Sequence, residues 1–370
     1  MKVPISGQLT GQLEADNVKQ VLVSKHYGGG IWTDRFERGF AKFMQARHAI
    51  LCNSGSSANL LALSALELPR GSRVLTCAVN FPTTINAIFQ LGLVPVVVDA
   101  NPKTLNIYDN YPVPDDISAV VLAHTLGNPF RINTNKPLIE DCCDAIGSMI
   151  DGRMVGRQGI MATASFYPAH HITMGEGGAV LTDSPKLKKV IESYRDWGRD
   201  CWCAPGEDNT CGTRFDGDYD HKYTYSRIGY NLKATDLQAA VGMAQLERLE
   251  GFIEARRKNW EYLREGLDGL PIEFIEPAQG ARPSWFGFPF LTIRRNELAR
   301  YLDNKGVGNR PIMAGNTLRQ PAYQKRHYEI IGSLYGANMI HQKGIWIGCF
   351  PGVTLEMMDY QIKTIREFYG

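Results

Sequence analysis

Short apolar runs alternate with amphipathic segments along the first half of the chain. Runs rich in β-branched and other apolar residues predict buried strands: HAILC (48–52), RVLTC (73–77), VPVVVDA (94–100), AVVLAH (119–124), PLIED (137–141), ATASF (162–166) and GAVLTD (178–183). Segments with helical spacing, such as ANLLALSAL (58–66), separate them. Near-continuous apolar strands that alternate with helices predict an α/β fold, with a mostly parallel sheet covered on both faces.

The pattern changes at Thr235, which can cap a long helix. The apolar positions of this helix recur at helical spacing: Leu237, Ala240, Val241, Ala244 and onward to Ile253. Short strands such as GIWIGCF (344–350) and helices such as NELARYLDNKG (296–306) follow in the C-terminal third. We therefore expect a large α/β domain over residues 1–242 and a smaller C-terminal α/β domain over residues 243–370.

Composition and charge exclude several classes of partner. The chain has 370 residues, of which 44% are hydrophobic, and its 40 basic and 38 acidic residues give a net charge of +2. This balance offers no electrostatic basis for binding nucleic acid or an anionic membrane. No apolar run approaches the length of about 18 residues that a membrane span needs, and the N-terminal segment lacks the apolar core of a signal peptide. We expect a cytoplasmic protein, whose eight cysteines are thiols, metal ligands or catalytic groups rather than disulfides.

Two segments at predicted strand ends are typical of cofactor sites. In NSGSSANLLAL (53–63), small residues including Gly55 join a strand to a helix, where backbone N–H groups and the hydroxyls of Ser56 and Ser57 favour a phosphate. Such turns are also common without a ligand. In IEDCCDAIGS (139–148), Asp141 ends an apolar strand, and its carboxylate can either bind a protonated ring nitrogen, as pyridoxal phosphate enzymes require, or act as a cap. Both segments would meet at the carboxyl edge of the sheet.

Three cysteines crowd the Pro/Gly loop RDCWCAPGEDNTC (199–211). Hydrophobic packing is a poor reason for Cys201, Cys203 and Cys211 to lie there, whereas zinc and iron–sulfur sites both use such thiolates together with a fourth ligand. If the strand geometry continues past Asp141, then Cys143 points to the same side as Asp141. This pattern predicts a metal centre next to the cofactor ring and leaves the metal open.

The segment SFYPAHHITMGEGGAV (165–180) places two histidines beside a glycine-rich turn. For an arbitrary pair, one buried and one solvated imidazole is the expected arrangement. Together with the segments above, however, other stretches resemble the DegT/StrS sugar aminotransferase family of fold-type-I pyridoxal phosphate enzymes: FPTTINAIFQLGLVPVVVDA (81–100), AHTLGN (123–128) and YDHKYTYSRIGYNLKATDLQAA (219–240). The chain is most similar to one branch of that family, the nucleotide-linked 4-keto-6-deoxyhexose 3-dehydratases.

The resemblance implies a role for each candidate residue. Ordinary aminotransferases of the family have lysine, which forms a Schiff base with the cofactor, at the position of His170. An imidazole cannot form that bond, so the cofactor would be non-covalent pyridoxamine phosphate and His170 would be the catalytic base, while His171 has no comparable role. The other implied cofactor contacts are Asp141 at the pyridine nitrogen, Phe81 on the ring face, His124 near the ring, Gly55, Ser56, Ser57 and Ser165 around the phosphate, and Asn231 reaching the phosphate of the neighbouring subunit in a homodimer.

The resemblance also implies a 2Fe–2S cluster bound by four residues, Cys143, Cys201, Cys203 and Cys211. In the implied reaction, His170 removes a proton from the methylene carbon of the cofactor and the hydroxyl on carbon 3 of a nucleotide-linked 4-keto-6-deoxy sugar leaves. The cluster then relays single electrons from a reductase or ferredoxin. The expected product is a 3-deoxy sugar nucleotide.

Two other functions stay open from the sequence. An aminotransferase could use a different lysine, such as Lys222 or Lys233. A non-catalytic protein on the same scaffold could bind zinc through its cysteines, because thiolates bind zinc readily.

Overall fold

The computed structural model describes residues 1–201, 203, 209–210, 212 and 219–370. Within them lie nine helices: α1 (Gln12–Ser24), α2 (Ile31–Phe43), α3 (Gly55–Ser64), α4 (Pro82–Gln90), α5 (Pro185–Arg195), α6 (Asp236–Gly266), α7 (Arg295–Asn304), α8 (Tyr335–Lys343) and α9 (Leu355–Tyr369). None of these helices combines the length and the apolar character needed to cross a bilayer.

The strands of the same residues form three sheets. They are β1 (His48–Cys52), β2 (Arg73–Cys77), β3 (Val94–Val98), β4 (Ala119–Ala123), β5 (Leu138–Asp141), β6 (Met149–Ile150), β7 (Arg153–Met154), β8 (Met161–Ser165), β9 (Gly178–Thr182), β10 (Glu273–Phe274), β11 (Ala281–Arg282), β12 (Phe288–Leu291), β13 (Asn309–Pro311), β14 (Glu329–Ile330) and β15 (Gly344–Ile347). Every strand predicted between residues 48 and 183 is present to within two residues of its predicted bounds.

The largest sheet has eight strands in the order β1-β9-β8-β5-β4-β2-β3-β14. Its strands are parallel from β8 to β14, which confirms the mostly parallel sheet that the apolar runs predicted. Strand β9 pairs antiparallel with both β8 and β1. The apolar pattern did not indicate this reversal; it arises because a short turn segment, rather than a crossover helix, joins β8 to β9.

Helices cover both faces of this sheet. Along β1, Ile50 and Cys52 pack in a cluster that includes α3 and α4, whereas Ala49 and Leu51 pack in a second cluster with α2 and α6. This alternation is the period of two that a strand imposes on its side chains. The parallel strands therefore end in buried surroundings, and their carboxyl ends can form a site that is shielded from water.

Helix α6 joins the large sheet to the C-terminal part. The Thr235 hydroxyl accepts the Gln238 N–H, and the Gln238 side chain accepts the Thr235 N–H, so the predicted cap is a complete capping box. The helix then runs for 31 residues. Beyond it lies an antiparallel sheet in the order β10-β12-β15-β13. The domain boundary that we predict after residue 242 falls inside α6.

Candidate active site

A cavity of about 520 Å³ opens at the carboxyl ends of the parallel strands. The residues after β2, β4, β5 and β8 contribute to its wall, as does the N-terminus of α3. The C-terminal part closes the opposite side with Phe286, Arg310 and Trp346. A concave site of this size at the carboxyl edge of a parallel sheet is typical of a cofactor or small-molecule site.

Asp141, the last residue of β5, lies buried in the cavity wall with its carboxylate held by three donors. Oδ2 accepts hydrogen bonds from Asn59 Nδ2 at 2.7 Å and Thr84 Oγ1 at 2.8 Å, and Oδ1 accepts one from the Cys143 N–H at 3.1 Å. These bonds fix the orientation of the carboxylate. The arrangement suits the pairing with a protonated ring nitrogen that the sequence predicted.

Cys143 lines the cavity because the chain turns after Asp141, and not because the strand continues as predicted. The strand ends at Asp141 and the chain turns at once, because the carboxylate of Asp141 accepts the Cys143 N–H. The strand-alternation argument was therefore wrong, although Cys143 lines the same cavity as Asp141. Burial, and then the nearby charge of Asp141, raise the pKa of the Cys143 thiol well above its usual value.

The N-terminus of α3 forms the predicted small-residue turn. Gly55 and Ser56 line the cavity, and a Cβ on Gly55 would lie 2.6 Å from the Ser165 Cβ, so only glycine fits there. Ser54 caps the helix by accepting the Ser57 N–H at 3.1 Å, and its hydroxyl also bonds to that of Ser57 at 3.0 Å. Ser57 is thus engaged in the cap and does not line the cavity in the part of the chain that the structure describes.

His124 lines the cavity but both of its ring nitrogens are engaged. Nε2 lies 3.0 Å from Glu140 Oε2, Nδ1 accepts the Phe130 N–H at 3.2 Å, and the ring stacks on Phe130 at 4.1 Å. Because Nδ1 accepts, Nε2 carries the proton and donates to Glu140. His124 can therefore offer a cofactor its ring surface rather than a free nitrogen.

Glu140, which sequence reasoning missed, is fully buried behind His124. Its carboxylate accepts hydrogen bonds from His124 and from the backbone N–H groups of residues 156, 158 and 159. Burial alone would raise the pKa of Glu140, but the His124 hydrogen bond and the backbone donors outweigh it and lower the pKa. No motif marks this role, since an acidic residue inside an apolar strand is recognisable as bonded only from the structure.

His170 lies in the cavity wall with its ring 15% exposed. Its Nδ1 is 3.6 Å from Asp144 Oδ1, and its ring packs against Phe286 at 5.2 Å. Burial and the charge of Arg256 lower the pKa of His170 to about 4. The imidazole is therefore neutral near pH 7, which is the state that a base needs.

Arg256 and Asp144 support His170 and were both missed from the sequence. Arg256 is buried within α6 and donates from Nη2 to the His170 carbonyl at 3.2 Å and from Nη1 to the carbonyls of Trp285 and Phe286. Burial, with the nearby charge of Asp141, raises the pKa of Asp144 to about 7. Asp144 lies within the IEDCCDAIGS segment (139–148), which could have pointed to it. The burial of an arginine in an amphipathic helix, by contrast, leaves no signal in the sequence.

The second histidine of the pair is buried as well. His171 donates from Nε2 to the Ser284 carbonyl at 2.8 Å, and burial lowers its pKa well below the usual value. The pair is thus not one buried and one solvated imidazole. His171 packs behind the cavity wall and has a structural position.

Of the other predicted cofactor contacts, Phe81 and Ser165 line the cavity and Asn231 does not. Phe81, 55% exposed, lies just before α4 in the cavity wall, and buried Ser165 ends β8 there. Asn231 is exposed, does not line the cavity, and accepts a hydrogen bond from Lys233 Nζ at 2.7 Å.

Two of the predicted metal-binding cysteines lie together. The ligand atoms of Cys201, Cys203 and His221 all lie within 4.8 Å of one another. Two thiolates and an imidazole are donors that suit zinc or an iron–sulfur centre. Cys143 belongs to the cavity wall rather than to this group, and Cys211 lies outside the described residues.

The model of the DegT/DnrJ/EryC1/StrS aminotransferase family matches residues 8–366. The chain belongs to the DegT/DnrJ/EryC1/StrS family. The lipopolysaccharide biosynthesis protein RfbH of Salmonella typhimurium is 45% identical over 401 residues, covering 100% of this chain and 92% of that protein. The dTDP-4-dehydro-2,6-dideoxy-D-glucose 3-dehydratase of Saccharopolyspora spinosa, a second similar protein, is 47% identical over 367 residues, covering 90% of this chain and 79% of that one.

A solved structure agrees with this family membership. The GDP-4-keto-6-deoxy-D-mannose-3-dehydratase of E. coli, with bound hydrated PLP, superposes with a TM-score of 0.89 at 28% identity, covering 98% of this chain and 99% of that one. The predicted fold, that of the fold-type-I pyridoxal phosphate enzymes with a large mostly parallel sheet and a smaller C-terminal α/β part, is confirmed.

Proposed function

We propose that this member of the DegT/DnrJ/EryC1/StrS family is a nucleotide-linked 4-keto-6-deoxyhexose 3-dehydratase that uses pyridoxamine phosphate and a 2Fe–2S cluster. One observation carries the proposal: His170 lines the cavity, and no lysine does so among the residues that the structure describes. In aminotransferases, such an amine forms the Schiff base that holds pyridoxal phosphate. Two similar proteins named as 3-dehydratases of nucleotide-linked sugars support the same conclusion.

The residues of the cavity fit pyridoxamine phosphate. The N-terminus of α3 at Gly55 and Ser56 offers backbone N–H groups to a phosphate, and a Cβ at Gly55 would close that space. The fixed carboxylate of Asp141 suits the ring nitrogen, and the exposed ring of Phe81 suits the face of the pyridine. When bound, the cofactor would supply an electron sink for the reaction.

His170 would move the proton that starts the reaction. Its imidazole is neutral, lies in the wall of the cavity and packs between Phe286 and the Asp144 carboxylate. The sugar would bind in the remaining part of the cavity, whose lining includes Arg310 and Trp346. The proposed role of His170 is therefore that of a general base.

The overall change requires a reductant. It breaks the C3–O bond of the sugar, forms a C3–H bond and releases water, and it consumes two electrons and two protons. A protein donor, either a reductase or a ferredoxin, would supply the electrons singly. We propose that a 2Fe–2S cluster bound by the four predicted residues relays them: Cys143, Cys201, Cys203 and Cys211.

Turnover by anaerobically purified protein tests the proposal. The protein is given pyridoxamine phosphate, a generic reductase and a panel of CDP-, dTDP- and GDP-linked 4-keto-6-deoxy sugars, and the products are identified by mass spectrometry. The proposal predicts a 3-deoxy product from at least one sugar. An amino sugar formed with glutamate as the amine donor, and no 3-deoxy product, would show an aminotransferase instead.

The rival aminotransferase has a weaker structural basis. Lys233 Nζ lies 3.3 Å from the centre of the Trp197 ring and donates to Asn231, so it is engaged away from the cavity of its own subunit. Lys222 lies in a short turn, His221–Tyr223, and does not line the cavity either. An aminotransferase would be yellow and bleached by borohydride, whereas the proposed enzyme would be brown and contain acid-labile sulfide. A colourless zinc protein would contradict both.

A further inference from the structure

The backbone brings His221 to the cysteine segment by strand-like pairing. Residues 198–200 pair antiparallel with residues 224–226, through N–H···O bonds of 3.0 and 3.1 Å and a bridge between the two central residues. In such a pair, one segment advances by one residue while the other goes back by one. The short turn His221–Tyr223 directly precedes Thr224, so the pairing brings His221 close to the segment that carries Cys201 and Cys203.

The donor atoms of the two segments lie close together. The Sγ atoms of Cys201 and Cys203 and an imidazole nitrogen of His221 all lie within 4.8 Å of one another. With metal–sulfur distances of about 2.3 Å and metal–nitrogen distances of about 2.0 Å, donors around a single metal ion are separated by about 4 Å. The imidazole of His221 therefore lies within contact distance of a metal centre held by these two thiolates.

A carboxylate lies beside the imidazole. Asp220 Oδ1 is 3.7 Å from His221 Nδ1, and Asp220 also begins the short turn by accepting the Lys222 N–H at 3.0 Å. A carboxylate beside a histidine is a recurring feature of metal sites, because it helps to orient the ring. Asp220 would thus help to hold the imidazole of His221 beside the cysteines.

We propose that His221 is part of the metal centre at Cys201 and Cys203, with its imidazole in contact with that centre, and that it raises the reduction potential. An imidazole adds no negative charge, and N–H bonds to the sulfur atoms raise the potentials of iron–sulfur centres. The inference rests on the proposed function only for the presence of an iron–sulfur centre. It adds an imidazole to the four predicted cysteines and does not require that any of them be replaced.

The test compares His221→Leu with the wild type and with His327→Leu, which removes an exposed histidine far along the chain. Anaerobically purified proteins, labelled with ¹⁵N-histidine, are assayed for iron and sulfide, for the midpoint potential and for nitrogen coupling by pulsed EPR of the reduced centre. We expect coupling to histidine nitrogen in the wild type and the control, its loss in His221→Leu, and a lower potential in that variant.

Unchanged coupling and potential in His221→Leu would overturn the inference, and so would a wild-type protein without a redox-active iron centre. Should the leucine variant fail to fold, His221→Gln, which keeps a polar side chain, is measured in the same way with the same expectation for the coupling. The readouts are independent of turnover. Failure of the proposed function would instead appear as a loaded iron centre in a protein that forms no 3-deoxy sugar.

Discussion

At the scale of single residues, the cavity depends on an imidazole that its surroundings keep uncharged. Burial and Arg256 lower the pKa of His170 to about 4, so its base form persists far below the usual histidine pKa of about 6.5. Any loss of activity caused by protonation of His170 is therefore expected near pH 4 rather than near pH 6.5. The pH dependence of kcat/KM for the free enzyme measures this directly.

Replacing His170 with asparagine should abolish the removal of the sugar hydroxyl, because the amide cannot accept the proton. Cofactor binding should persist, since the predicted phosphate and ring contacts lie on Gly55, Ser56 and Asp141. The absorbance of the bound cofactor and the rate of product formation are measured together, with His327→Asn as the control. Normal turnover by the His170→Asn protein would remove this residue from the mechanism.

The buried, hydrogen-bonded carboxylate of Glu140 should contribute to the stability of the fold. Its carboxylate accepts four hydrogen bonds in a fully buried site, and an amide at that position would direct an NH₂ group at backbone donors. Glu140→Gln should therefore lower the free energy of unfolding by about 1–3 kcal/mol at pH 7. The exposed Glu297→Gln is a matched control, expected to change stability by less than about 0.5 kcal/mol. Urea unfolding measures both.

The stabilisation by the Glu140 carboxylate should be lost in acid. Because the pKa of Glu140 is lowered in the folded protein, the stabilisation is present above the ordinary value of 4.5 and is lost as the pH falls through the folded-state pKa. The difference between Glu140→Gln and the wild type should accordingly shrink as the pH falls below 4.5. A difference that stays constant or grows in acid would contradict the assignment of a buried carboxylate.

These residues were not equally predictable from the amino-acid sequence. Asp141 and His170 were predictable because each follows a recognisable strand in a motif of the family. Arg256 and Glu140 were not, because burial of a charged side chain depends on carbonyl and amide groups that only the folded chain brings together. The two residues that could not be recognised from the sequence support two that could: Glu140 holds His124, and Arg256 holds the backbone at His170.

At the scale of elements, the turn between β1 and α3 leaves no room for a larger residue. A Cβ at Gly55 would lie 2.6 Å from the Ser165 Cβ and 2.9 Å from the Cys143 Sγ. Gly55→Ala should thus displace the N-terminus of α3, weaken cofactor binding and cost about 1–3 kcal/mol of stability. The control is Gly251→Ala inside α6, where a Cβ meets nothing within 4 Å and where alanine should be neutral or stabilising.

Cofactor titration followed by fluorescence, with urea unfolding of the same samples, tests this pair of variants. Equal cofactor affinity in Gly55→Ala and Gly251→Ala would contradict the placement of the phosphate at α3. The elements themselves were well predicted where apolar runs are long, as in β2 and β3. The reversal of β9 and the turn after Asp141 were not, because one depends on backbone pairing with β8 and the other on a hydrogen bond from the Cys143 N–H to the Asp141 carboxylate, rather than on hydrophobic pattern.

At the scale of the whole molecule, the position of Asn231 bears on assembly. This residue is exposed and outside the cavity of its own subunit, so the phosphate contact implied by the family requires a second subunit. We propose a homodimer with shared sites. A mixed dimer of His170→Asn and Asn231→Ala would then contain one site with both native residues and recover about half of the wild-type activity, whereas each variant homodimer is impaired.

Differently tagged subunits, purified through both tags, provide the mixed dimer, and sedimentation velocity confirms its mass. Absence of any recovery in the mixed dimer, with both variants folded, would contradict shared sites. The sequence could not settle this assembly from its own pattern, since an exposed asparagine has the same signature whether it faces solvent or another subunit.

The central claim is that an imidazole occupies the position where related enzymes carry an anchoring amine, and intact-mass spectrometry tests it most directly. The protein is saturated with pyridoxal phosphate, treated with borohydride and denatured before its mass is measured. We predict the mass of the unmodified chain, since His170 cannot form a reducible bond to the cofactor. A mass increased by one reduced cofactor, with the modified lysine identified in the cavity, would contradict the account.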